Sequence, residues 1–122
     1  MTRELKFGRV APLSGKVRSM VVLVHGYGAD GADLLGLADP LGAHLPDTVF
    51  VAPDAPERCV GGGFGYQWFP IPWLDGSTEE QARASMAVSV DKLNAFIDDK
   101  LKHENLEPEA LALGKIDGKT YA

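Results

Sequence analysis

The chain has 122 residues, 45% of them hydrophobic and 24% charged, with a net charge of −5. That is one ordinary globular domain or a piece of a larger one. No apolar run approaches the ~20 residues of a membrane helix, and the first residues, Met-Thr-Arg-Glu-Leu-Lys, lack the apolar core of a secretory signal. The mixed charges make no electrostatic case for nucleic acid, and Cys59 alone can form no internal disulfide, so a cytoplasmic location is expected.

In chain order, Leu5, Phe7 and Val10 carry a weak period of two, which predicts an edge strand before the turn residues Pro12, Ser14 and Gly15. Residues 20–24, Met-Val-Val-Leu-Val, have no polar side to show water. They predict a strand buried on both faces, centred on residues 21–24. It ends in His25-Gly26-Tyr27-Gly28, whose two glycines allow a sharp turn and a close backbone approach to a ligand. From Asp30 to Leu45, Leu34, Leu35, Leu37, Ala38, Leu41 and Leu45 recur at helical spacing. Pro40 and Gly42 predict that this helix is kinked or split.

Residues 48–52 predict a second buried strand, which Pro53 and Pro56 close. Residues 57–76 then read as one long loop, rich in glycine and in Tyr66, Trp68, Phe69 and Trp73. Loops of that length are often functional. Its aromatic residues either fold back over the core or line a pocket.

Residues 77–103 form the clearest helix. Ser77 and Glu80 have the spacing of a capping box. Ala82, Met86, Val90, Leu93, Ile97 and Leu101 make one apolar stripe, expected to be core packing, with Phe96 beside it. Lys100, Lys102 and His103 suit the dipole at its end. Asn105 and Pro108 stop it, and residues 110–113 predict a third short strand. Strands alternating with helices imply a largely parallel sheet in a three-layer α/β sandwich, whose sites lie at the carboxyl ends of its strands.

Most candidate motifs fail on chemistry. Gly114 and Gly118-Lys119-Thr120 are one residue too close for a phosphate loop. His25, His44 and His103 lie on different elements with no clustered ligands, so no metal site is expected. Cys59 could be a reactive thiol, but a lone residue of this kind is more often incidental. Gly114 and Gly118 have the spacing of a Gly-x-Ser-x-Gly nucleophile elbow and follow a strand, but the central residue is Ile116, which has no proton to lose and no lone pair to attack with. The His25-Gly26-Tyr27-Gly28 turn is different. After a buried strand it can offer backbone N–H groups to a developing oxyanion, and the Tyr27 N–H is the candidate donor. His25 is expected to brace the turn rather than act as a base.

Residues 22–30 (Val-Leu-Val-His-Gly-Tyr-Gly-Ala-Asp), 51–56 (Val-Ala-Pro-Asp-Ala-Pro) and 67–71 (Gln-Trp-Phe-Pro-Ile) together resemble the phospholipase/carboxylesterase family of α/β-hydrolases, which includes the acyl-protein thioesterases. The likeness covers about residues 4–113. It implies an incomplete α/β-hydrolase fold, a serine esterase or thioesterase, acyl substrates and no cofactor. Carried over by position, Tyr27 supplies an oxyanion N–H, His25, Gly26 and Gly28 support the turn, and Trp68, Phe69, Pro70 and Ile71 lie beside the acyl site. The family has Gly-Phe-Ser-Gln-Gly where this chain has Gly114-Lys115-Ile116-Asp117-Gly118, and its aspartate and histidine come later.

Residues 1–113 therefore look like the N-terminal half of a hydrolase, and residues 114–122 like a divergent tail: a lost elbow, a frameshift or a truncation. The expected function is an ester or thioester hydrolase by descent, inactive as this lone chain. The alternative is a non-catalytic module that binds an acyl group or a partner. A half sheet would leave the strand at residues 110–113 with an open edge, so a homo-oligomer or a complementing chain is expected.

Overall fold

The computed structural model describes residues 5–59, 65–107 and 111–113. Its main sheet is built from β1 (Phe7–Val10), β2 (Ser19–Val22), β3 (Thr48–Pro53) and β6 (Leu111–Leu113), in the order β1-β3-β2-β6. β2 runs parallel to β3 and to β6, while β1 pairs antiparallel with β3. Helices α1 (Gly31–Leu35) and α2 (Ala38–His44) connect β2 to β3, and α4 (Glu79–His103) precedes β6.

Alternation along the strands builds the layers. Met20, Val22, Val49 and Val51 form one core cluster with Phe96 and Leu101 of α4. The intervening Phe50 and Ala52 pack with Leu23, Ala38, Leu34 and Leu35, on the α1–α2 face. The sheet is thus covered on both faces, and β3 is buried along its whole length. Each large apolar side chain so buried stabilises the fold by roughly 1.5–3 kcal/mol before entropy is counted.

Several expectations shift. β2 pairs over Ser19–Val22, two residues earlier than its apolar run suggested. Its register starts where the Ser19 and Thr48 hydroxyls hydrogen-bond at 2.7 Å. One more ladder bond, Leu23 N–H to the Val51 carbonyl, follows before the chain bends away. The helix predicted over residues 30–45 is split at Gly36 and Leu37, not at Pro40 or Gly42. An unbroken helix would drive the Pro40 ring into the Gly36 carbonyl. Restarting at Ala38 places Pro40 in the first turn, where its missing N–H costs nothing.

The expected long loop carries structure of its own. β4 (Glu57–Arg58) and β5 (Tyr66–Gln67) pair as a small antiparallel ribbon, and α3 (Pro72–Asp75) is a single turn ending in left-handed Gly76. The cap of α4 is Thr78 with Gln81, not Ser77 with Glu80: the Gln81 N–H donates to Thr78 Oγ1, and the Thr78 N–H donates to the Gln81 side chain. Ser77 bonds Asp75 instead.

The stripe on α4 is only half core. Leu101 is buried, and Leu93 and Ile97 pack against the core cluster, but Met86 and Val90 are 43% and 52% exposed. The buried position of the first half is Ser89, off the stripe, with Ser85 half-buried one turn before it. Gly114, Ile116, Asp117 and Gly118, and with them the elbow and tail expectations, lie outside the described residues.

Candidate functional site

Beyond β2 the chain rises through Leu23 and Val24 into His25, which is buried. The Ala55 N–H, just past β3, donates to His25 Nε2 at 2.9 Å. That nitrogen therefore holds a lone pair, so Nδ1 carries the proton and donates to the Gly26 carbonyl at 2.7 Å. The Trp68 indole N–H donates to the His25 carbonyl at 2.8 Å, with the two rings 5.3 Å apart. Both ring nitrogens are committed, so the imidazole ties the turn to the segment after β3 and has no free lone pair for a substrate proton, while the His25 carbonyl ties it to Trp68.

Gly28, at φ +83°, takes a left-handed conformation that other residues adopt only at a cost. It lets the Gly28 N–H donate to the Tyr66 carbonyl, and the Tyr66 N–H donates back to Ala29. The approach is so close that a Cβ on Gly65 would lie 2.2 Å from the Gly28 oxygen. Tyr27, between the two glycines of the turn, has an N–H that donates to no acceptor among the described residues.

The Tyr27 side chain points to a second anchor that sequence reasoning missed. Its hydroxyl donates to Asp75 Oδ2 at 3.0 Å, which also accepts the Ile71 N–H at 2.9 Å. Asp75 Oδ1 accepts the Ser77 N–H and hydroxyl. Burial alone would raise the Asp75 pKa, but these hydrogen bonds outweigh it and hold it down at about 2. Burial, then the bond to Asp75, pushes the Tyr27 phenol up to about 12. One carboxylate thus ties the glycine turn to the start of α3. The only trace of it in the sequence is an aspartate before Gly76.

Beside the turn opens a cavity of about 460 Å³. Gly26 and Tyr27 line one part of it. Trp68, Phe69 and Ile71 line another, while Pro70 is buried outside the lining. Met86, Val90 and Leu93 of α4 supply further wall. Ser89, also in the lining, donates its hydroxyl to the Trp68 carbonyl and so pins the aromatic segment to α4. Polar Ser85 and Ser89, four residues apart in a stretch (residues 84–90) whose other residues are apolar, were the available sign that this face meets more than core. Ser85 bonds Glu57, whose other oxygen accepts from Gln67.

Among the described residues no group of three or more His, Cys, Asp or Glu could hold a metal. His44 closes α2 and His103 closes α4, as the last residue of each. Cys59 is buried, next to the Tyr27 phenol.

A sequence profile of the phospholipase/carboxylesterase family matches residues 6–114. This chain belongs to that family. Among solved structures, esterase PE8 superposes with a TM-score of 0.80 at 38% identity, over 91% of this chain and 51% of its own length. Acyl-protein thioesterase 2 of Zea mays is 28% identical with a TM-score of 0.56, over 89% of this chain and 44% of its own. A phospholipase/carboxylesterase from Dyadobacter fermentans, at 14% identity and a TM-score of 0.64 over 93% and 48%, shares the fold. The chain spans about half the length of these solved structures. The family's α/β-hydrolase architecture accounts for the helices on both faces and for the turn at the carboxyl end of β2.

Proposed function

We propose that residues 1–113 are the oxyanion-stabilising half of a carboxylic ester or thioester hydrolase. The observation that carries the reading is the juxtaposition of the His25-Gly26-Tyr27-Gly28 turn with a cavity walled by Trp68, Phe69 and Ile71. Attack on an acyl carbonyl places negative charge on its oxygen. A preorganised backbone donor meeting that charge stabilises the transition state by about 3 kcal/mol. The Tyr27 N–H is the donor. His25 braces the turn, with Gly26 and Gly28 supplying its bend, and the apolar walls receive the acyl chain, with Pro70 backing them.

The position that carries the nucleophile in the family holds Ile116 here. Residues 1–122 on their own therefore turn over no ester. A serine, an aspartate and a histidine must come from outside these residues, through a complementing chain or an oligomer that covers the side of β6 away from β2. No cofactor takes part. No helix among the described residues is long and apolar enough to cross a membrane, and the free Cys59 suits a reducing, cytoplasmic setting.

The test uses p-nitrophenyl esters of rising chain length and a fluorophosphonate probe. The chain alone is expected to give neither turnover nor labelling. Stoichiometric labelling of one of its own serines would overturn the assignment of Ile116 to the nucleophile position. A second reading, an acyl-binding module without turnover, draws on the same cavity. It would be favoured if a fluorescent fatty acyl probe binds this chain, Trp68→Ala abolishes that binding, and no complementing chain restores hydrolysis.

A further inference from the structure

A second cavity, of about 310 Å³, shares no lining residue with the first. It is lined by Lys6 ahead of β1, Arg58 on β4 and Lys92 on α4, together with Tyr66 on β5 and the corner at residues 54–56. Three cationic residues thus line one cleft of a chain whose net charge is −5. Asp54 is the one carboxylate in the lining. Among the described residues none of the three cations forms an ion pair. The neighbouring Glu57 is engaged at both oxygens, by Gln67 and by Ser85.

The walls are held before any ligand arrives. The Lys6 carbonyl accepts the Asp54 N–H at 2.7 Å, and Asp54 Oδ1 accepts the Gly31 N–H at 2.8 Å. Arg58 pairs with Tyr66 across the ribbon, its guanidinium 5.9 Å from the ring centre. Lys92 rides on a helix of 25 residues. Like charges brought together on fixed walls repel one another, and an anion with several oxygens relieves that repulsion while accepting from an arginine at two atoms. The volume is at the small end for ligand sites and suits a compact group.

We propose that this cleft binds the phosphate group of a small molecule. The site is independent of the hydrolase reading and stands if that reading fails. It shares one structural link with the glycine turn: Ala55, in the cleft wall, is the residue whose N–H holds His25 Nε2.

The probes are inorganic phosphate and glycerol 3-phosphate, each titrated calorimetrically into the chain at low, constant ionic strength. Saturable one-to-one binding of either is expected, and the one that binds tells whether the cleft takes the free ion or a monoester. Arg58→Gln and Lys92→Gln should each weaken the dissociation constant at least tenfold. Arg18→Gln, whose own partner is Asp47, should leave it unchanged. Circular dichroism checks each variant, and Lys6→Gln, at an exposed position, replaces any that does not fold. Absence of saturable binding by both probes, or equal binding by wild type and folded cleft variants, overturns the proposal.

Discussion

The two halves of α4 carry the same apolar repeat and meet different surroundings. Near its C-terminal end Phe96 and Leu101 are buried against β2 and β3, and Phe96 meets the Phe7 ring edge-on at 5.4 Å. Lys100 lies 4.1 Å from the centre of the Phe7 ring, and Arg9 makes a two-point ion pair with Glu104. Near the N-terminal end Met86 and Val90 face the cavity half uncovered. Helical spacing says which side chains share a face. What that face meets depends on the strands and loops packed opposite, and those lie far away in the sequence.

The contrast can be broken in order of expected size. Phe96→Ala should cost about 3–5 kcal/mol, the usual loss for a buried aromatic whose site cannot collapse, read from urea unfolding. A cost under 1 kcal/mol would mean that the C-terminal half of α4 is no better packed than the N-terminal half. Trp68→Phe keeps an aromatic ring but strips the donor from the carbonyl of buried His25. It should cost roughly 1–3 kcal/mol and loosen the turn, visible as faster amide exchange at residues 25–28.

The Tyr27–Asp75 link makes stability pH-dependent at both extremes. The Asp75 pKa is depressed in the fold, so its contribution is present above the unfolded carboxylate value, about 3.9, and is lost as pH falls through about 2. The Tyr27 pKa is raised, so its contribution is present below the unfolded phenol value, about 10, and is lost as pH rises through about 12. Asp75→Asn should flatten the acid limb of the stability curve and bring the Tyr27 absorbance titration back down toward the ordinary phenol value. An unmoved titration midpoint would remove Asp75 as the partner. Smallest of all, Met86→Ala and Val90→Ala should each change stability by no more than about 0.5 kcal/mol. They should nonetheless weaken a fluorescent acyl probe several-fold, which separates cavity wall from core.

Much of the fold was legible because its signals are local. Unbroken valine and leucine runs mark strands covered on both faces, and β2 and β3 both lie near where such runs stand. Where partner chemistry decides, the sequence misled. Ser77 and Thr78 are adjacent hydroxyls before the same helix, and either could cap it. Ser77 is drawn off by Asp75, which leaves Thr78 to bond Gln81. The loop at residues 57–76 looked structureless because two-residue strands leave no period to detect. The ribbon is held instead by Glu57, Gln67 and Ser85, which are brought together from separate elements.

At the candidate site, the glycines around Tyr27 and the Trp68-Phe69-Pro70-Ile71 segment could be singled out from sequence, because backbone freedom and bulk are properties of single residues. The Asp75 anchor, the α4 wall and the basic cleft could not. A carboxylate, a methionine or a lysine acquires such a role only from partners on other elements, as Asp75 does from Tyr27. The sequence by itself determined the order of the main-sheet strands and the long helix, the family and the type of turn, since these follow from short-range spacing and from what each backbone can adopt. Only the tertiary structure decided which face of α4 is covered, where the first helix breaks and which polar groups are spent on one another. Those outcomes turn on long-range packing, which fixes what each side chain finds opposite it.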